Sequence, residues 1–326
     1  MTDVYITIDT EYSALLAQQG ASPAENFARS IACDTPRGSV GIEYQMDVFD
    51  RYGVKADFFV DPMPAMLWGV EAIAAVIEPI ATRGHSVQLH IHTEWLELAN
   101  QLNPGSNPLG DRTGRNIADF THDEQVQLLD YARSLLIDAG APPPVAFRAG
   151  NYGANDDTLR ALRWAGLSYD TSHPPGIAAS ECDISLGAGD REIVHHMGAI
   201  EVPIGAVESF GAELRHAQIT ALSAREMLSA VRHARDTGSR AFTLVSHSFE
   251  LLSRDRSRIN QIVKRRFEGF CRGLGRMEGV RSTSYAEAPP VPTRASGCAP
   301  VLPLNTARAA ERMAEQVISN ALYGRG

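Results

Sequence analysis

Cysteine is scarce and scattered: four residues in a chain of 326, at positions 33, 182, 271 and 298, with no two in a C-x-x-C spacing. That excludes a thiolate zinc site and a disulfide framework, and leaves Cys33, Cys182, Cys271 and Cys298 as reduced structural thiols. Positive charge is also short. Thirty Lys and Arg stand against 39 Asp and Glu, a net charge of −9, so the electrostatic footprint of a nucleic-acid binder is missing. No apolar run is long enough to cross a membrane: the stretch from Val70 to Ile80 is interrupted by Glu71 and Glu78. The first residues carry neither a basic start nor a following apolar segment, so no secretory signal is read and a cytoplasmic location is expected. Internal repeats and low-complexity tracts are absent too.

What the chain does have is 44% hydrophobic residues arranged in an alternating rhythm. Strand-like segments are expected at 4–8, 55–60, 86–92, 145–148, 167–171, 200–204, 241–247 and 280–284. Between them, helical spacing covers 39–52, 70–82, 121–139, 155–165, 223–237 and 254–274. Gly53, Gly84, Gly140 and Gly166 act as stop signals, and Thr121-His122-Asp123-Glu124 is a capping box. Such alternation predicts an α/β protein with a mainly parallel sheet, either a barrel or a doubly wound sheet. Residues 98–120 read as a long loop, and His85 as a residue satisfying backbone groups. The proline-rich stretch 286–305 reads as a linker. Beyond it Asn305 can cap a terminal helix whose Met313, Val317, Ala321 and Leu322 share a face, suited to docking on the chain's own body or on a second subunit.

The chemistry lies in where polar residues fall on the strands. In Val87-Gln88-Leu89-His90-Ile91-His92 the period of two sends Gln88, His90 and His92 to one face, and in the first strand Asp9 and Glu11 share a face if the extended path continues. Two carboxylates and two histidines at strand C-termini suit a divalent metal, at the end of the strands where parallel α/β folds carry their chemistry. Arg148, before the turn Ala149-Gly150-Asn151-Tyr152-Gly153, has the fork geometry to hold a carboxylate. His247 ends another strand and suits a general acid, since imidazole titrates near neutrality. Trp95, close to the His-x-His pair, has a ring that could stack on a sugar. His195 and His196 are adjacent and so point to opposite faces of a strand, which makes them poor co-ligands.

Taken in order, Thr7-Ile8-Asp9-Thr10-Glu11, Ala56-Asp57-Phe58-Phe59-Val60, Gly84-His85-Ser86-Val87-Gln88-Leu89-His90-Ile91-His92, Phe147-Arg148-Ala149-Gly150-Asn151-Tyr152-Gly153 and Leu244-Val245-Ser246-His247 resemble the successive motifs of the polysaccharide deacetylase family, also called NodB-like or carbohydrate esterase family 4. The resemblance covers 1–285, with 286–305 as linker and 306–326 as a helical extension. It implies a distorted (β/α)7 barrel and a metal-dependent hydrolase, of bacterial type, that removes the acetyl group from an N-acetylated sugar or saccharide precursor.

By the same resemblance, Asp9 is the catalytic base, Arg148 its orienting partner and His247 the catalytic acid. Glu11 and His90 are metal ligands, completed by His92 or by Glu94, for a divalent ion, zinc before cobalt or nickel. Trp95, Asn151 and Tyr152 face the substrate, and the terminal helix offers a homo-oligomer contact. This chain departs from the family pattern at four points. Asp9-Thr10-Glu11 replaces two adjacent aspartates, and Glu94 stands where a second histidine is usual. The arginine motif carries an extra residue and no proline, and the Asp-Trp motif that supports the acid has no clear counterpart, Asp170 being its nearest candidate. Two other readings stay open: a metal-independent, allantoinase-like amidohydrolase on this fold, and a non-catalytic carbohydrate-binding relative.

Overall fold

The structure, a computed structural model, describes residues 1–293 and 299–324. The strands that build it are β1 (Thr2–Thr10), β2 (Asp57–Val60), β3 (Ser86–Ile91), β4 (Ala146–Ala149), β5 (Tyr169–Asp170), β6 (Val194–His196), β7 (Ala199–Glu201), β8 (Ala241–His247) and β9 (Val280–Thr283). They form one curved sheet in the order β8-β1-β2-β3-β4-β5-β7-β6, with β9 paired to the first half of β1. All pairings are parallel except β6 with β7. This is the distorted barrel of the deacetylase type expected from the sequence.

Helices α1 (Ile42–Tyr52), α2 (Val70–Thr82), α3 (Glu94–Leu102), α4 (His122–Asp138), α5 (Asp156–Trp164), α6 (Ala224–Asp236) and α7 (Gln261–Leu274) accompany the strands. The alternation along β1 shows why. Val4, Ile6 and Ile8 are buried in the large core that also takes helix residues such as Met46, Phe49, Phe267 and Phe270. Tyr5 turns the other way, into a smaller cluster with Phe59, Ala146, Val202 and Tyr285. Thr7 and Asp9 follow Tyr5 on that inner side, which carries the polar residues of the site. The expected capping box opens α4: the Thr121 hydroxyl accepts from the Glu124 N–H, and the Glu124 carboxylate accepts from the Thr121 N–H at 2.8 Å.

The sheet does not close by strand pairing alone. Between β7 and β8 the chain from 202 to 219 stitches the gap: Val202 N–H donates to Asp170, Gly205 N–H to Thr243 and Val245 N–H to Ala217. Gly205 makes the approach possible, because a Cβ there would lie 2.7 Å from the Phe242 ring and 2.8 Å from the Thr243 carbonyl oxygen.

Several local expectations are corrected. The segment expected to be a loop from 98 begins inside α3, whose Trp95, Leu96, Leu98 and Ala99 form a buried stripe, and 117–119 is a 3-10 turn. The helix expected from 254 begins at Gln261, where the Asn260 side chain accepts from the N–H groups of Ile262 and Val263. Short helices at Ala14–Gln18 and Pro23–Ser30 lie between β1 and α1. His85 satisfies no backbone group; its ring lies against Phe49 and Phe58, with Nε2 3.4 Å from the Asp50 carboxylate.

The terminal helix α8 (Thr306–Tyr323) forms as expected, with Asn305 capping it. Against the chain's own body it packs with a face other than the apolar one, which corrects the expected docking there through the apolar face. Met313, Val317 and Leu322 are exposed, while Ala309, Arg312 and Ser319 are buried. Arg312 meets Glu226 of α6 at 3.2 Å, and the Asn260 side chain donates to the Ser319 hydroxyl. Residues 294–298 of the expected linker, with Cys298, lie outside the described residues. Of the other cysteines, Cys33 and Cys271 are buried free thiols. Among the described residues no helix is long and apolar enough to cross a membrane.

Candidate active site

Register decides which side chains meet. β1 pairs with β8 so that Asp9 stands opposite His247, and β3 pairs with β4 so that His90 stands opposite Arg148. All four lie at the C-terminal ends of parallel strands. Arg148 is fully buried, and its donors are spent inside the protein. One guanidinium nitrogen donates to Asp9 Oδ1 at 2.6 Å and another to Thr7 Oγ1 at 2.8 Å, while Nε donates to the Thr171 carbonyl at 3.1 Å. The guanidinium plane lies 4.6 Å over the Phe59 ring. Burial alone would raise the Asp9 pKa, but the charge of Arg148, with His90 and His247 behind it, brings it below the ordinary value. Asp9 is therefore a buried ionised carboxylate with one oxygen fixed and Oδ2 turned toward His247, 3.7 Å from its Nε2.

Beside this pair, Glu11, His90 and His92 bring their ligand atoms within 4.8 Å of one another. The extended path of β1 does continue far enough to place Glu11 there. Glu11 Oε2 lies 2.6 Å from His92 Nε2 and 3.5 Å from His90 Nε2. His90 Nδ1 lies 2.7 Å from the Arg148 carbonyl, which can only accept, so Nδ1 carries the proton and Nε2 presents its lone pair to the group. A second backbone contact fixes His92: a Cβ on Gly150 would come within 2.7 Å of its Nδ1, so glycine there leaves room for the ring. Burial opposes charge on Glu11, yet His92 and His90 hold its carboxyl well below the usual range; Glu11 in turn raises His92 to about 10. One carboxylate and two imidazoles converging at this spacing fit a divalent cation.

His247 is supported by a residue that sequence reading missed. Its Nδ1 lies 2.8 Å from Glu250 Oε1, while Glu250 Oε2 accepts from the Ser246 hydroxyl at 3.1 Å and Gln218 donates to Oε1. Burial would lower the His247 pKa, but the Glu250 hydrogen bond and charge, helped by Asp9, raise it to about 9. The signal was in the chain: an acidic residue three places after a strand-end histidine, reached by the turn at 248–250. Asp170, the nearest sequence candidate for this support, bonds to Ser172 and to Glu201 instead. Burial pushes both Asp170 and Glu201 above their ordinary values, and the Asp170 charge adds to the rise of Glu201, so the pair shares a proton.

Other expected site residues divide. Tyr152 is half-buried and lies in the field of Arg148, Asp9 and Glu250, and it follows Asn151 in left-handed backbone conformation, φ of 57° and 56°. Two adjacent non-glycine residues held in that region mark a constrained turn beside the site. Asn151 itself is exposed and donates to Asn116. Trp95 is fully buried, edge-on to Trp68 in the core, so it cannot stack on a ligand. Glu94 is exposed in the first turn of α3, whereas His92 is the residue whose ligand atom joins those of Glu11 and His90. His196 leaves the site for Asp156, at 3.2 Å.

No family model matches the chain, and no curated protein matches it. Solved structures do. A candidate polysaccharide deacetylase from Mycobacterium smegmatis aligns over 90% of this chain and 94% of its own, at 17% identity and a TM-score of 0.56. A 4-alpha-glucanotransferase from Thermococcus litoralis aligns over 88% of this chain and 40% of its own, at 9% identity and a TM-score of 0.51. A family 4 carbohydrate esterase from Streptomyces lividans, in complex with acetate, aligns over 93% and 98% at 10% identity, with a TM-score of 0.45. The first two, with TM-scores above 0.5, establish a shared fold and no more at these identities.

Proposed function

We propose that this chain is a metal-dependent amidohydrolase that removes the acetyl group from an N-acetylated sugar or saccharide precursor. The observation that carries the reading is the placement of an ionised Asp9, locked by Arg148, between a Glu11-His90-His92 group and a Glu250-supported His247. Glu11, His90 and His92 would hold a divalent ion, zinc before cobalt or nickel. When bound, that ion supplies Lewis acidity to the scissile carbonyl and acidifies the attacking water.

The chain's own residues do the rest. Asp9 Oδ2 takes a proton from the water as its oxygen bonds to the acetyl carbon, and Arg148 keeps the carboxylate aimed and ionised. His247, protonated up to about pH 9, gives its proton to the departing nitrogen, which would otherwise leave as a strongly basic amide anion. The C–N bond breaks to give acetate and the free amine. The Gly153 N–H is engaged by the Gly150 carbonyl within the turn, so the Asn151 and Tyr152 N–H groups are the ones that would meet the carbonyl oxygen as it gains negative charge.

The test is acetate release from N-acetylglucosamine-containing saccharides by the cobalt- or zinc-loaded protein, against Asp9→Asn and His247→Ala. Loss of turnover in both variants, with metal retained in His247→Ala, is expected. Full activity in a metal-free His90→Ala protein would rule out the metal mechanism and favour the metal-independent amidohydrolase. Saccharide binding without acetate release would instead favour a non-catalytic relative.

A further inference from the structure

Asp61 follows β2 directly and lies in the same layer of the sheet as the proposed metal ligands. β1 and β2 pair through Thr10 and Val60, and β2 and β3 through Val60 and Leu89. One residue on, the ladder still holds, because Asp61 N–H donates to the Thr10 carbonyl at 3.1 Å. That step sets Asp61 between Glu11 on one side and His90 on the other, with its side chain on the inner face they share.

The side chain is 1% exposed. Its Oδ1 accepts from the Met63 N–H at 3.0 Å, which caps the turn out of β2, whereas Oδ2 is buried with no hydrogen-bond partner. A buried carboxylate oxygen left bare is costly, and native structures rarely leave one without a purpose. The charged groups that face it are His92, His90 and Glu11, those that form the cation group.

Charge balance points the same way. Asp9 is already matched by Arg148. Glu11 alone would then face a divalent ion in a buried site, leaving one positive charge uncompensated, whereas Glu11 and Asp61 together neutralise it. We propose, resting on the metal-dependent reading above, that Asp61 is a fourth protein contact of the cation site, with Oδ2 turned to an ion held by Glu11, His90 and His92. Asp61 thereby serves twice, one oxygen shaping the turn and the other facing the ion.

Cobalt(II) titration of the metal-stripped full chain, read by the visible d–d absorption and by competition with a chelator, tests this without using turnover. Asp61→Asn keeps the acceptor for Met63 and replaces the bare oxygen by an amide nitrogen. Its cobalt affinity should fall at least about tenfold, with a changed d–d band and an unchanged melting temperature of the metal-free protein. Should Asp61→Asn fold poorly, Asp61→Ser, whose hydroxyl can still accept from the Met63 N–H, serves in its place. Wild-type affinity and spectrum in both variants would overturn the proposal and leave Asp61 as a turn cap. If wild type itself binds no cobalt or zinc, the metal-dependent reading falls and this proposal with it.

Discussion

Glu250 Oε1 and His247 Nδ1 stand 2.8 Å apart across one tight turn, so the imidazole and the carboxylate that tunes it come from the same four-residue segment. Asp9, the other carboxylate near His247, is committed to Arg148. The acid and the base of the proposed reaction thus each have a main partner of their own, Glu250 and Arg148, while each also favours the charge of the other.

Changing Glu250 to Gln keeps a hydrogen-bond acceptor but removes the charge. The His247 pKa should fall from about 9 toward the ordinary imidazole value of about 6.5. Because a general acid works only while protonated, the alkaline limb of kcat/KM should move to lower pH by up to about 2.5 units. A pH–rate profile beside an NMR titration of the His247 ring checks this, and an unmoved limb would show that another group controls it.

Arg148→Met should destabilise the fold by about 3–5 kcal/mol, since it strands the buried Asp9 carboxylate. Asp9→Asn added to Arg148→Met should recover part of that loss, because the orphaned charge is gone. Urea denaturation of the two single variants and the double variant measures the coupling.

Gly150→Ala tests the geometry of the cation group from its backbone side. The new methyl would press within 2.7 Å of His92 Nδ1, so the ring or the turn must shift and the fit of His92 to Glu11 is disturbed. Cobalt or zinc affinity should drop about tenfold or more while the far-ultraviolet dichroism stays that of wild type. Equal affinity would mean that His92 adapts freely or does not bind the ion.

His85 links stability to pH. Burial lowers its pKa from 6.5 to about 4, in spite of Asp50 nearby. The unfolded chain therefore takes up the proton as pH falls through 6.5, and the folded chain only near 4. Stability is full above 6.5 and is lost progressively down to about 4, by up to about 3 kcal/mol. His85→Phe, which fits the neighbouring Phe49 and Phe58, should flatten that part of the stability curve in denaturant titrations at pH 7, 6 and 5.

The alternation of strand and helix was plain in the sequence because buried strands and amphipathic helices impose different periods on the same apolar residues. Asp9, Glu11, His90, His92, Arg148 and His247 stood out for a related reason: each is a polar residue at the end of an apolar strand. What stayed hidden depended on packing in three dimensions. Trp95 reads as a site residue because it lies three places from His92, yet helical geometry turns it into the core beside Trp68. Glu250 and Asp61 sit in turns just past their strands, where period says nothing about direction. The apolar face of α8 was legible, but which face docks was set by Arg312 meeting Glu226 and Ser319 meeting Asn260, polar contacts that no hydrophobic pattern encodes.

The position of β1 governs how the chain can acquire its structure. The first strand is central, and of its three neighbours only β2 comes from the early sequence; β8 and β9 arrive from residues 241–247 and 280–283. During synthesis, Asp9 and Thr7 therefore wait through more than two hundred residues for the edge that completes their strand. Such distant pairing makes assembly slow and leaves an apolar strand open to wrong partners until the last quarter of the chain emerges. Because Asp9 and His247 are register partners in this late pairing, any truncation before β8 removes the proposed acid and exposes the strand that carries the proposed base. The two halves of the proposed chemistry and the completion of the strand that carries the base thus become available in one event, the pairing of β1 with β8.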